Sequence, residues 1–445
     1  MPRKHAVFHP ARWGALLLLA GLAAGCANEP LAQTPPSQKP AEGFVSSGHP
    51  VLDAWRASFA EQAIAAGRDR DAVRAVLSDL SPLARFLGTE TEAPAADIQD
   101  QAEFAKPVWS YLETAVSARR KANGARKLEE NAALFDALEA RYRVDREVLV
   151  AIWGMETAYG GYIGNFDAAN TLSNMAAEGR RQSFAERELM ALIEILERGL
   201  AKRGDLVSGW AGAMGQTQFM PSTFLAHAED FEGDGRIDVW GNPADALASA
   251  AAYLAASGYQ ANAPWGIEVV LPDETAFLLA DGQRRPVSEW ETLGLRPQAD
   301  GPFKADPAAR AELWVPAGQS GPKFLLFENF DVFKTYNRAD SYALAVGLLS
   351  EGVQGLERPI APWPKHVAPL SVAEVKDLQS ALNRLGHGAG RVDGILGRGT
   401  QAALRRFQAA QGFIPDGFAT REMLTYVEAA AGAVSPQSSS PSAPG

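Results

Sequence analysis

Apolar residues recur at helical spacing along most of the chain. Leu52, Trp55, Phe59 and Ala63 share one helix face, and Val73, Val76 and Leu77 follow Asp69 and Asp71 in a second such stretch. The same period predicts helices over 98–122, with Pro107 as a kink or break, and over 132–142. The run Val148, Leu149, Val150, Ala151, Ile152, Trp153 and Met155 is apolar all round, which implies a buried element. A strand competes for such a run. Its extent from Asp145 to Tyr159, Asp145 as N-cap and the paired Gly160-Gly161 beyond favour a helix with Glu156 in its last turn.

A carboxylate in that position is poorly placed for stability. The helix C-terminus carries partial negative charge and the apolar neighbours desolvate the group, so both effects are expected to push its pKa up. A glutamate that stays protonated near neutral pH is what protonation of a glycosidic oxygen requires. The plain alternative is a glutamate turned to solvent or paired with an arginine.

Downstream, 162–173 is rich in turn residues, and its Asp167 is the nearest candidate for a second catalytic carboxylate, against a helix-capping role. The segment 209–224, GWAGAMGQTQFMPSTF, is glycine-rich and then offers Pro221-Ser222-Thr223 as a helix start. Within it the Gln218 amide lies beside Met214, Phe219 and Met220, a mixture suited to a saccharide's hydroxyls and apolar faces. Asp230, Glu232 and Asp234, with Gly235 and Ile237, follow the spacing of an EF-hand-like loop, but Gly241 stands where the bidentate acid belongs, and an acidic surface turn is the alternative. A helix is expected over 244–257, and short strands over 267–271, 276–279 and 324–327.

The segments VAIWGMETAYG, GWAGAMGQTQFMPSTF, EFAKPVWSYL and Tyr336-Asn337-Arg338 before SYALAVGLL, in that family's order, resemble the membrane-bound lytic murein transglycosylase B family over about two thirds of the chain. The resemblance implies a mainly α, lysozyme-like catalytic domain with a small accessory β-sheet. It implies Glu156 as catalytic acid and then base, and Gln218, Tyr336 and Asn337 as residues orienting the sugar. Arg180 and Arg181 match a basic pair beside the family's groove, against a solvated helix face. Asp245 resembles the aspartate that closes the family's calcium loop, one residue later than expected, so structural calcium is the one ion suggested and no cofactor is required. The family commonly has serine where this chain has Gly209, with Ser208 as a candidate substitute. Tyr342, Leu344, Val346, Leu348 and Leu349 read as core.

A Pro-rich linker at 359–367 sets off a second unit over 368–430, expected to fold independently. Val375, Leu378, Leu382 and Leu385 begin three helices, with Thr400 and Thr420 as N-caps for the second and third. LQSALNRLG, RVDGILGRGT, ALRRFQAAQG and PDGFAT resemble the peptidoglycan-binding domain type 1. Residues 431–445 read as a disordered tail.

The 445 residues allow two or three domains, here a catalytic domain over 48–358 and the C-terminal module, and the formal charge of −11 argues against nucleic acid and against charge-based attachment to anionic lipid. Arg3, Lys4 and Arg12, then an apolar stretch to Leu22 and Ala23-Ala24-Gly25, form an export signal over 1–25. Cys26, the chain's single cysteine, has no intramolecular disulfide partner and resembles a bacterial lipobox, although Leu22 stands four residues before it rather than three; a plain signal peptide with an incidental cysteine is the alternative. Lipidation there, with Ala27 next, implies a periplasmic outer-membrane lipoprotein of a Gram-negative bacterium, held by a flexible tether over 26–47. The expected ligand is the glycan strand of peptidoglycan, and the expected reaction is non-hydrolytic cleavage between N-acetylmuramic acid and N-acetylglucosamine, with wall-remodelling proteins as conceivable partners. A hydrolytic muramidase and a non-catalytic wall-binding lipoprotein are the competing readings.

Overall fold

The computed structural model describes residues 43–88 and 106–433. The signal segment, Cys26, most of the tether, the first part of the helix expected over 98–122 and the end of the tail lie outside these residues. The last tether residues are fastened: the Val45 carbonyl accepts from Arg56 Nη2 at 2.9 Å and Ser46 Oγ donates to Asp53 at 2.6 Å.

Helix α1 (Pro50–Ala65) and α2 (Arg70–Leu77), with Asp69 capping the amides of Asp71 and Ala72, lead to the short α3 (Ala84–Leu87). Pro107 stands at the N-cap of α4 (Val108–Ala115), and Ser117 caps α5 (Ala118–Glu130), so the described part of the 98–122 stretch is two helices. α6 (Ala132–Tyr142) precedes α7 (Arg146–Thr157), the apolar helix that carries Glu156. Asp145 holds the N-cap position, but its carboxylate accepts from Tyr259 Oη at 2.8 Å and from the Asn262 amide instead of capping the helix. α7 is closed by left-handed Ala158 and Tyr159, ahead of the expected glycines. The Tyr159 ring lies directly over Gly154, where a Cβ would meet it at 2.6 Å.

β1 (Phe166–Asp167) leads into α8 (Ala168–Glu178) and α9 (Gln182–Glu197), and pairs antiparallel with β2 (Val207–Ser208). α10 (Pro221–His227) and α11 (Pro243–Ala256) follow, each with proline in its first turn where no amide is needed. These helices bury two cores. One surrounds α7 with Leu149, Ile152, Trp153, Leu247 and Leu349; the other holds Phe59, Leu172, Leu192, Phe219 and Phe224. Tyr336 packs against both.

An antiparallel sheet of order β4-β6-β7-β3-β5 follows, built from β3 (Gly266–Val270), β4 (Arg285–Pro286), β5 (Arg296–Pro297), β6 (Arg310–Trp314) and β7 (Phe324–Leu326), with α12 (Val287–Thr292) after β4. The strand expected at 276–279 is instead a 3-10 turn over Glu274–Leu279, because Asp273 accepts from the amides of Thr275 and Ala276 and winds the chain. α13 (Glu328–Phe333) and the buried α14 (Asp340–Gly352) complete the domain, with α14 packed on α7.

The C-terminal module is α15 (Val372–Arg384), α16 (Arg398–Ala410) and α17 (Arg421–Ala433) around Leu378, Leu382, Leu404, Phe407 and Val427. Ser371 and Glu374 form a capping box, and Thr420 caps α17 through the Met423 amide. Thr400 is not a cap: Gly397 takes that position, and the buried Thr400 hydroxyl accepts from Gln379 Nε2 at 3.1 Å.

The linker and the module make specific contacts with the catalytic domain. Glu268 accepts from the linker amides of Ile360 and Ala361 at 2.6 and 2.7 Å. Arg398, Gln401 and Arg405 of α16 reach the catalytic domain at Asp340, at the Pro316 carbonyl and at the Ala280 carbonyl. Trp109 lies 6.3 Å from both Trp363 of the linker and Phe418 of the module. Among the described residues no helix is long and apolar enough to cross a membrane.

Candidate active site

Glu156 is half-buried in the last turn of α7. Its carboxylate accepts a short hydrogen bond from Tyr342 Oη in the first turn of α14. Tyr342 is almost fully buried, and burial followed by the neighbouring Glu156 carboxylate pushes its phenol far above its ordinary range, so it remains a donor. By its spacing Tyr342 reads as core. The ring is there, but its polar tip serves the candidate acid.

The loop after β2 is tied to the same helix end. Trp153 Nε1 donates to Gln216 Oε1 at 3.0 Å, Thr157 Oγ1 donates to the Gln216 carbonyl at 2.6 Å, and Gln216 Nε2 donates to the Trp240 carbonyl at 3.2 Å. Gly160, at φ 75°, lets the chain pass: a Cβ there would meet Gln216 Oε1 at 2.5 Å. Gln216 and Thr157 thus fix the loop's height beside Glu156. Neither was singled out from sequence, where Gln216 is one polar residue among glycines.

Gln218 occupies the left-handed corner of the turn closed by Met214 and Phe219. Its Nε2 folds back to the carbonyls of Gly215 and Ile163 at 2.9 and 3.3 Å, leaving Oε1 beside Gly209. A Cβ at Gly209 would stand 2.8 Å from that oxygen, so a serine there requires Gln218 to move. Ser208 does not substitute for the serine. It is fully buried and its hydroxyl is taken by the carbonyls of Gly209 and Phe166.

Tyr336 packs at a tilt against Phe219 and Tyr253, with ring centroids 6.1 and 5.4 Å away. Its hydroxyl is buried without a hydrogen-bond partner among the described residues, and burial, then the Glu156 charge, pushes the phenol far up. Asn337 Oδ1 accepts from the Ala339 amide at 3.0 Å, which sets the turn into α14. Glu156, Tyr336 and Tyr342 therefore come together, flanked by Asn337 and the Gln218 turn.

Asp167, the Arg180–Arg181 pair and the acidic turn each have local partners. Asp167 caps α8 through the Asn170 amide at 2.8 Å and pairs with Arg203 at 2.6 Å. Arg180 pairs with Glu178, and Arg181 lies 4.3 Å over the Phe184 ring; both partners are local to the α8–α9 corner. The carboxylates expected to form a calcium loop are tied together within the 230–245 turn. Asp230 accepts from the amides of Gly233, Asp234 and Gly235, Asp234 from Arg236, Glu232 from Asn242 Nδ2, and Asp245 from the amides of Phe231 and Asp238. Among the described residues no three His, Cys, Asp or Glu side chains are grouped to hold a metal ion.

The model of the transglycosylase SLT domain family matches residues 52–351. This chain belongs to that family. The SLT domain spans every candidate residue above, and a peptidoglycan binding domain matches 371–426. The chain is 30% identical over 223 residues to membrane-bound lytic murein transglycosylase B of Escherichia coli, covering 48% of this chain and 58% of that relative, so the match spans little more than half the relative's length. Among solved structures, SltB3 from Pseudomonas aeruginosa in complex with NAG-anhNAM-pentapeptide is 39% identical with a TM-score of 0.78, over 85% of this chain and 100% of that one. Soluble lytic transglycosylase SltB1 from the same organism is 26% identical with a TM-score of 0.57, over 68% of this chain and 99% of that one.

Proposed function

We propose that this SLT-family chain is a peptidoglycan lytic transglycosylase that cleaves the β-1,4 bond between N-acetylmuramic acid and N-acetylglucosamine. The observation that carries the reading is Glu156 held by Tyr342 at the end of a buried helix, within a domain whose relatives include transglycosylases. Glu156 donates its proton to the glycosidic oxygen as the C1–O bond breaks, and the substrate's own N-acetyl oxygen supports the positive centre at C1. The resulting carboxylate takes the proton of the muramoyl C6 hydroxyl, whose oxygen closes on C1 to form a 1,6-anhydro ring. No water is consumed. Tyr342 Oη steadies the carboxylate through both steps, while Tyr336, Asn337 and Gln218 orient the sugar.

A hydrolytic muramidase would need a second carboxylate or a held water, and Asp167 is committed to α8 and Arg203. SltB3 is described in complex with NAG-anhNAM-pentapeptide, whose anhydro sugar supports the lytic route here. The reading further includes wall retention by the C-terminal module and an acyl anchor on Cys26 in the periplasm, supported by the export-like sequence before that cysteine and by a membrane-bound relative. Mass analysis of digested peptidoglycan tests the chemistry: anhydro products, one water lighter than hydrolytic ones, are expected, and reducing-end products would overturn it. Cys26→Ala should move the protein from the membrane to the soluble fraction, and unchanged membrane retention would remove the anchor from the reading.

A further inference from the structure

The seam between the C-terminal module and the catalytic domain reaches the loop and helix start beside the active site through Arg398. Arg398, the first residue of α16, sends Nε and Nη2 to the two carboxylate oxygens of Asp340 at 2.7 and 2.9 Å, and Nη1 to Glu312 of β6. The guanidinium carbon lies 5.3 Å from the Trp314 ring centre and 5.6 Å from that of Phe330. Asp340 is the first residue of α14, where a carboxylate also meets the positive end of the helix, and Lys334 Nζ donates to it at 2.8 Å. Tyr342, which holds Glu156, is two residues further along that helix. Tyr336 and Asn337 lie in the loop between Lys334 and Asp340.

We infer that Arg398 is a positioning residue for the transglycosylase reaction, so that the wall-binding module completes the catalytic site through Asp340, α14 and Tyr342 as well as holding polymer. This rests on the proposed role of Glu156. The physical reasoning is that a bidentate arginine–carboxylate contact fixes direction as well as distance. Without Arg398, Asp340 and Glu312 are left on the catalytic-domain side of the seam as two partly buried carboxylates that repel, with Lys334 alone still paired to Asp340. The start of α14 then shifts outward, and the phenol donor leaves its place beside the acid. Angular precision at a proton-transfer site is worth much in rate, since a displacement near 1 Å from a remote change costs on the order of a hundredfold.

The test is a double-mutant cycle in the full-length chain, assayed on a short soluble glycan tetrasaccharide, with folding checked by circular dichroism and thermal melting. Arg398→Met should lower kcat by roughly 10- to 100-fold. The same change in a Tyr342→Phe background should cost little more, because the hydroxyl it positions is already gone. Arg398→Lys, which keeps the charge but loses the two-pronged contact, should recover part of the rate. Undiminished kcat in Arg398→Met, or a full additional loss in the Tyr342→Phe background, would overturn the inference. If Arg398→Met does not fold, the Arg398→Lys loss and its disappearance in the Tyr342→Phe background carry the same decision. A wild-type enzyme inert on the fragment would sink the proposed function instead, a different outcome from an active wild type with an indifferent Arg398.

Discussion

The end of α7 and the acidic turn at 230–245 both place carboxylates in partly buried ground, yet their satisfaction is opposite in kind. Asp230 and Asp245 accept from backbone amides of the turn they define, so their charge is spent on holding a shape. Glu156 is met by a side-chain hydroxyl from another helix, 186 residues away in sequence. That partner can retain its hydrogen bond while the acid gives up and regains a proton. Carboxylates that accept from their own loop's amides hold that loop's shape, whereas one addressed across the domain by a buried hydroxyl is placed for chemistry.

The strongest way to break this comparison is Glu156→Gln, which keeps size and hydrogen bonding but cannot carry the proton. Cleavage should fall by about 100- to 10,000-fold with the fold retained. Product counting against a wild-type digest decides it, and near-wild-type turnover would remove Glu156 from the chemistry. Tyr342→Phe sharpens the same point, since losing one hydrogen bond to a charged group should lower kcat by roughly 10- to 100-fold while the buried ring keeps packing. An unaffected kcat would reduce Tyr342 to core.

Glu351, at the other end of α14, is a third case, because one of its oxygens is buried without a hydrogen-bond partner among the described residues. Burial, partly opposed by Arg358, pushes its carboxyl up to about 7. An acid whose folded pKa exceeds its unfolded value binds more protons when folded, so stability is highest below the usual glutamate range and declines as pH rises toward 7. Glu351→Gln should flatten that decline and add about 2 kcal/mol at pH 8 in urea unfolding; an unchanged pH slope would refute the assignment. Asp245→Asn should give the smallest effect, a loss of about 1 kcal/mol with kcat per folded molecule unchanged, as one amide group replaces the second acceptor oxygen and only one of the Phe231 and Asp238 amides keeps its partner. A fall in kcat at unchanged stability would place Asp245 in the site after all.

The helices were readable because apolar spacing records which face is covered, and Glu156 because a carboxylate inside an apolar run is a local contradiction. Tyr342 was not readable as a functional residue, since its ring satisfies the core pattern and only tertiary packing brings its hydroxyl to Glu156. The strand expected at 276–279 lost to Asp273, a capping choice made outside the apolar run. The EF-hand spacing picked out the residues that organise the 230–245 turn, and the amides they accept from become visible only in the fold. Likewise the prolines at 359–367 suggested freedom, whereas the amides of Ile360 and Ala361 are held by Glu268, a residue of β3 whose partner no local pattern announces.

The outer face of α16 also bears on how such enzymes can be recombined. Gln401, Arg405 and Gln408 are nearly as buried as its apolar residues, and Gln401 and Arg405 bond to carbonyls of the neighbouring domain. Swapping in a foreign wall-binding domain at the linker would therefore cut through a polar seam and strand the Pro316 and Ala280 carbonyls. The exchangeable part is the three helices together with the surface that receives them, and a functional chimera would have to transplant Arg398, Gln401 and Arg405 along with the new module.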